Sequence, residues 1–551
     1  MTGVMERLAL ALADRYRIER ELGAGGMATV DPRFARAQAH RALALLVLSV
    51  AAAGPARAQC PDGTPPPCGR ATAAAAPAPG ANSVGVMLFN NLTRDSTYAY
   101  LADGLATEIA TSLARVPRLE VRSPGAVRSA QRGVAPDPRT VGRRLNVRYV
   151  VEGDFQRGGD RIRISVRLVT VPSGTQRWSE AYTRPVTDLL AVQEEIASAV
   201  ATAIAGQLLP QERTVLAVRP TRDPEAYDHF LRGNFQLAKR TPGGVAGAIA
   251  EYETATRIDP SFPQAEARIA LAYALYLDWG WDFPGMSRDS QLARGERAAD
   301  RALALDSLSA DGWMARGYLR SFRYPRTLDG VIPALERSTL LDPRNAEAWH
   351  QYGSFLSGLR RLEEGNAAAR RSLAIEPGRP VTWLQVGNNL EVMGRDAEAR
   401  AAYDSVTAND PGFYAAYAFR TWLRLRAGDV AGAQADAEAA LRSSPPSETY
   451  YGSAPLAAVA AYRGDTATAR RIMAEAVAPF ATRTASPLVA QMLALGLIAA
   501  GQPDEAVTLL ERTVPQGALL WISVQFPAFE PLRRLERFQR LLEAIRPPGA
   551  R

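Results

Sequence analysis

The sequence predicts an α/β domain, a mixed sheet with an antiparallel meander, followed by an all-α superhelix of repeated helical hairpins. Three observations carry this. Acidic–proline helix stops recur 34 residues apart at Asp342-Pro343, Glu376-Pro377 and Asp410-Pro411, and Pro445 lies 34 after Pro411. A tryptophan precedes a glycine by four residues at Trp313/Gly317, Trp349/Gly353 and Trp383/Gly387, with a blurred copy at Tyr417/Thr421. Before residue 212, apolar residues instead switch between strand and helix periods.

At 551 residues the chain exceeds a single core, and about three domains are expected. Apolar residues make up 47% and charged residues 22%, ordinary for a soluble globular protein. The formal charge of +8 suggests nucleic acid, but the basic residues argue otherwise. Lysine occurs once, at Lys239, and the arginines are interspersed with Asp and Glu. Such a spread fits coding bias better than a phosphate-binding stripe, and no nucleic-acid partner is expected. His40, His229 and His350 lie far apart, away from the two cysteines. No metal-ligand spacing results, so neither a metal nor a cofactor is expected.

Residues 1–30 contain Arg15 to Val30, which resemble the opening of a bacterial serine/threonine kinase. Gly23, Gly25 and Val30 match its glycine-rich phosphate loop, although Ala28 replaces the third glycine. The lysine, catalytic loop and metal-binding Asp that phosphoryl transfer requires do not follow: His40-Arg41 leads into Ala42, and the nearest Asp-Phe is Asp282-Phe283-Pro284. The loop therefore reads as a non-functional remnant.

Residues 31–58 change register. Arg33, Arg36, His40 and Arg41 precede an apolar run from Ala42 to Ala53, and Ala56-Arg57-Ala58 ends it. That is the form of a secretory signal peptide, and a chain start at Val30 would make it complete. The alternative is a membrane anchor through the 42–56 apolar segment, although about 20 residues are needed to span a bilayer. Residues 59–81 read as a Pro/Ala-rich linker, in which Cys60 and Cys68 form a disulfide loop or stay free thiols.

Within 82–212, Val84 to Phe89 reads as a buried strand. Leu101, Leu105, Ile109 and Leu113 mark one face of a helix over 100–116. Leu119–Val121 is a short strand. Asp137-Pro138 caps a helix running to Leu145. Three strands follow, Arg148–Gln156, Arg161–Val171 and Gln176–Tyr182, the first two joined by a Gly158-Gly159-Asp160 turn. A long helix over 187–209 closes the unit. The segments Tyr100-Leu101-Ala102-Asp103-Gly104-Leu105, Tyr149-Val150-Val151-Glu152-Gly153 and Trp178-Ser179-Glu180-Ala181-Tyr182 resemble the TolB amino-terminal-type domain of bacterial proteins. The resemblance implies a binding or assembly domain. Asp103, Glu108, Glu152 and Asp154 are read as helix-end and strand-face carboxylates, and no catalytic residue is assigned.

The 34-residue period over 222–547 is that of tetratricopeptide repeats, and seven hairpins are expected. Trp313, Gly317, Trp349, Gly353, Trp383 and Gly387 are read as structural positions, with the tryptophans in the seams between hairpins. Trp349→Ala or Trp383→Ala would then cost roughly 3–5 kcal/mol. The family register places His350, Asn388 and Trp422 on the concave groove as peptide contacts. Together these readings predict a non-enzymatic scaffold of the bacterial cell envelope with protein or peptide partners, exported to the periplasm or anchored to the membrane. The alternative is a degenerate serine/threonine kinase family member whose repeats act as a sensor.

Overall fold

The computed structural model describes residues 18–22, 27–30 and 78–548, except 94, 133–136, 282, 324–326, 482–484 and 514–516. The signal-like segment, Cys60 and Cys68 lie outside the described residues. The chain divides into two units, Met1–Pro77 and Ala78–Arg551.

In the first unit, strands β1 (Ile18–Leu22) and β2 (Met27–Val30) pair antiparallel, Leu22 opposite Met27 and Ile18 opposite Val30. They bracket the glycine-rich loop, where Gly23 and Gly25 lie outside the described residues.

The second unit opens with a six-stranded mixed sheet. Strand β3 (Ser83–Val86) is wholly buried, as its apolar run predicts. It lies parallel to both β5 (Glu120–Val121) and β6 (Tyr149–Gly158), while β4 (Asn90–Asn91) continues along β6. Strands β7 (Arg161–Thr170) and β8 (Gln176–Pro185) complete the antiparallel meander. Apolar residues of β7 alternate inward at Ile162, Ile164, Val166 and Leu168. Helix α1 (Ala99–Ala114) covers the sheet with Leu101, Leu105, Ile109 and Leu113, all fully buried.

Helix α2 (Pro124–Gln131) does not figure in the sequence reading. Ser123 caps it through Ala126 N–H, and Pro124 occupies the first turn. Helix α3 (Pro138–Leu145) starts on Asp137, whose carboxylate accepts from Arg139 and Thr140 N–H. The helix predicted over 187–209 is α4 (Leu189–Ala205), which stops at Gly206, and a short helix that the sequence reading does not contain, α5 (Pro210–Leu216), follows it.

Eight helical hairpins follow among the described residues, where the repeat spacing predicts seven. They are α6 (Pro224–Ala238) with α7 (Pro242–Ile258), α8 (Pro263–Asp278) with α9 (Arg288–Leu305), α10 (Ala310–Arg323) with α11 (Val331–Leu341), and α12 (Ala346–Gly358) with α13 (Leu362–Ile375). Next come α14 (Pro380–Val392) with α15 (Asp396–Asn409), α16 (Tyr414–Arg426) with α17 (Val430–Ser443), α18 (Tyr450–Tyr462) with α19 (Thr466–Val477), and α20 (Pro487–Ala499) with α21 (Pro503–Glu511). The last two carry no acidic–proline stop and are marked in the sequence only by the spacing of their turns at Gly464 and Gly501. From the second hairpin onward, first helices of successive hairpins touch one another as well as their own partners, so they form the inner wall. Helix α22 (Gly517–Ser523), a 3-10 segment over Pro527–Arg534 and helix α23 (Glu536–Ile545) end the chain.

Each hairpin turn from α12 onward uses one left-handed residue: Arg360 (φ 58°), then Gly394, Gly428, Gly464 and Gly501 (φ 72–87°). The following N–H closes the turn onto a carbonyl five residues back, Arg361 to Leu356 at 2.9 Å and Arg395 to Leu390 at 2.8 Å. Arg360 is exposed and is the one non-glycine in this series. A side chain there costs about 1 kcal/mol of backbone strain. Arg360→Gly should therefore raise the thermal midpoint by a few degrees, read by circular dichroism.

Candidate functional site

The α/β domain is fastened along the inter-hairpin loops of the array. Helix α1 packs on α6: Tyr100 donates to Asp228, Arg232 stacks over the Tyr100 ring, and Leu231 meets Gly104. Helix α2 lies along two successive loops, and the end of α1 meets a third. Ser123 Oγ donates to Ile375 O at 3.2 Å, and Arg132 pairs with Asp410 at 2.9 Å. Arg344, from the α11–α12 loop, donates to Ala114 O at 2.8 Å. The signal for α2 was present as Ser123-Pro124, but eight residues with one apolar turn are too short to show a period.

Three of the four carboxylates singled out in this domain are held by arginines. Arg128 pairs with Asp103 at 2.7 Å, and Arg167 bridges Glu152 and Asp154 at 2.8 and 2.9 Å. Burial pushes the Glu108 carboxyl up to about 7, against the opposing pull of Arg268 and Arg115. A raised carboxyl favours the folded state below its ordinary value of 4.5 and loses that advantage as pH rises to about 7. Glu108→Gln should therefore be more stable than the parent above pH 7, with the gap closing toward pH 4.5 in thermal melts.

The repeat tryptophans are partly buried, Trp383 against the core of the array, and each also locks a turn. The indole N–H of Trp313, Trp349 and Trp383 donates to the carbonyl six residues earlier, Ser307, Pro343 and Pro377, at 2.9, 3.0 and 2.7 Å. Each ring thereby fixes the loop entering its own hairpin. Trp383→Phe should cost about 1 kcal/mol through the lost hydrogen bond, measurable by urea denaturation. The seams are filled by residues opposite the glycines. A Cβ on Gly387 would lie 2.3 Å from the Tyr403 ring, on Gly353 2.8 Å from Gln385, and on Gly317 3.0 Å from Leu335.

The three predicted groove residues sit on first helices α12, α14 and α16, but none presents a free side chain to an open groove. His350 Nδ1 lies 3.2 Å from Thr382 Oγ1, and burial and Arg379 lower its pKa to about 4. Asn388 accepts from the Tyr403 hydroxyl at 2.8 Å. Trp422 is buried, and its indole N–H has no partner among the described residues.

The inner wall is closed because the array curves back on itself, which the linear register cannot reveal. Arg240, at the end of α6, reaches Glu347 on α12 at 2.9 Å, and Arg379 pairs with the same carboxylate. Burial alone would raise the Glu347 pKa, but Arg379 and Arg240 hold it well below the carboxylate range. Farther along, the insertion after α8 forms a clasp. Trp281, stacked with Trp279 at 5.5 Å and edge-on to Tyr276, donates to Glu448 at 3.2 Å. Glu448 is buried and also accepts from the Tyr414 hydroxyl. A Cβ on Gly280 would lie 3.1 Å from Ser486. The insertion thus ties hairpin two to hairpins six and seven and to the loop before α20.

Among the described residues, no three His, Cys, Asp or Glu side chains group in metal-holding geometry. No described helix is long and apolar enough to cross a membrane, and the 42–56 segment lies outside the described residues.

No family model matches the chain. It is similar to a Rhizobium meliloti (strain 1021) protein named Putative adenylate cyclase 3, with 32% identity over 193 residues, 35% of this chain and 33% of that protein. The chain thus spans about a third of that relative's length. Solved structures similar to it include a tetratricopeptide repeat protein from Parabacteroides merdae, at 14% identity and TM-score 0.34, covering 50% of this chain and 99% of that one. Yeast Tom70 has 11% identity and TM-score 0.37, covering 65% and 79%. YrrB, described as a TPR protein with an unusual peptide-binding site, has 17% identity and TM-score 0.25, covering 35% and 93%. The expectation of a chain that is not an enzyme is corrected by the Rhizobium relative, whose name is that of an enzyme.

Proposed function

We propose that this chain is a polypeptide-binding scaffold whose partners dock on the inner wall of its helical array, with the α/β domain held rigidly beside it. One observation carries this reading: the first helices of hairpins two to eight stack in unbroken succession. Such a surface is long, repetitive and stiff, and it suits an extended or helical segment of another protein. The basic, apolar and small-residue series over 33–58 supports export to the cell envelope.

The test is site-specific photo-crosslinking in native envelope fractions. A photoreactive residue at Ser354, on inner-wall helix α12, should capture a defined protein partner. The same group at Glu438, on second helix α17, should not. Equal capture at both positions, or at neither, would refute inner-wall binding.

A second reading follows from the Rhizobium relative's name: a part in cyclic-nucleotide formation, with the array serving as the sensing portion. Incubating the purified chain with ATP and a divalent cation, then assaying cyclic AMP and pyrophosphate, decides whether this chain carries that reaction.

A further inference from the structure

The wall that would receive a partner is already occupied by the chain's own end. After α21 the repeat pattern stops, because Pro527 and Pro531 break any ninth hairpin of regular length. Helix α22 returns instead against α12, more than 150 residues earlier, and against α20. Phe526 packs on Phe419 of α16 with ring centroids 5.9 Å apart, and Phe529 stacks on Phe538 of α23 at 6.3 Å. Leu520, Trp521, Val524, Phe526, Phe529 and Leu532 are all buried in the core that contains Trp422.

The fit is incomplete. The Trp521 indole N–H and the Gln525 amide nitrogen on this segment are buried without partners, as is the Trp422 indole on the wall. A buried donor with no acceptor carries its desolvation cost unrepaid, so the contact is weaker than its apolar area implies. A ligand of the same apolar pattern that supplied acceptors there would bind better than the resident segment.

We propose that Leu520–Leu532 is a displaceable internal occupant of the inner wall, and that the array's partners carry a helical segment with the same aromatic and aliphatic spacing. This rests on the polypeptide-binding reading above and names the kind of partner. A tethered segment competes at millimolar effective concentration, so the intact chain would admit a partner only in the fraction of time its own end is released.

The test uses the full chain and a fluorescein-labelled peptide of residues 517–535. The double variant Phe526→Ser with Phe529→Ser should bind this peptide at least about ten-fold more tightly than the parent does. A peptide carrying the same two substitutions should not bind either protein. A variant that stays helical and cooperative yet binds no better than the parent overturns the proposal. So does a variant whose array no longer melts cooperatively, since the segment would then be a structural cap. Because the probe is the chain's own sequence, the outcome is independent of whether envelope crosslinking finds an outside partner.

Discussion

Asp436→Ala should destabilise the array by about 3–5 kcal/mol, the largest loss expected from any single substitution considered. Asp436 on α17 takes both guanidinium arms of Arg420 on α16, at 2.8 and 2.6 Å, and also pairs with Arg424 at 2.9 Å. Arg420 and Asp436 are both more than nine-tenths buried. Asp404 and Thr407 of α15 hold the remaining Arg420 donors at 2.6 and 3.0 Å. One side chain therefore pins hairpin five to both helices of hairpin six. Removing Asp436 leaves a guanidinium that cannot return to water without opening the seam. Equilibrium urea unfolding followed at 222 nm measures the loss. The double variant Arg420→Met with Asp436→Leu should lose less than Asp436→Ala alone, because it leaves no uncompensated charge. Equal losses would mean that packing volume, rather than the stranded charge, sets the cost.

The hairpins were legible through local rules: an acidic–proline stop after four of them, a turn glycine in the later ones and an apolar stripe with helical period. Asp137 and Pro138 announced α3 in the same way, and the alternation of Ile162, Ile164 and Val166 announced β7. Features set by distant pairs were not legible. The tryptophan period was visible, but nothing in it distinguishes a ring filling a seam from one whose N–H reaches a carbonyl six residues back. The groove residues His350, Asn388 and Trp422 lie on the helices their register assigns. Whether those faces stay open depends on curvature, which brings Arg240 to Glu347 across 107 positions and Trp281 to Glu448 across 167. Neither pair shares a motif, so no window of sequence could join them.

Glu347→Gln should cost about 2–4 kcal/mol at neutral pH, because it removes the charge that Arg379 and Arg240 both face. Arg379 keeps Glu376 at 3.1 Å, which holds the loss below that for Asp436→Ala. The pH dependence separates the charge from simple packing. The Glu347 pKa is depressed in the folded state, so its contribution is complete above the unfolded value, about 4.3, and disappears as pH falls further. The difference in melting temperature between parent and Glu347→Gln should accordingly be constant from pH 8 to about 5 and shrink below that. His350, beside the same carboxylate, acts in a different window. Its pKa of about 4 lies below the ordinary 6.5, so the unfolded chain takes up the proton first and stability falls as pH drops from 6.5 toward 4. Replacing His350 with Gln should flatten that slope while leaving the melting temperature at pH 8 nearly unchanged. A His350→Gln variant whose melting temperature follows the same slope as the parent's between pH 6.5 and 4 would show that the imidazole is not buried neutral against this wall.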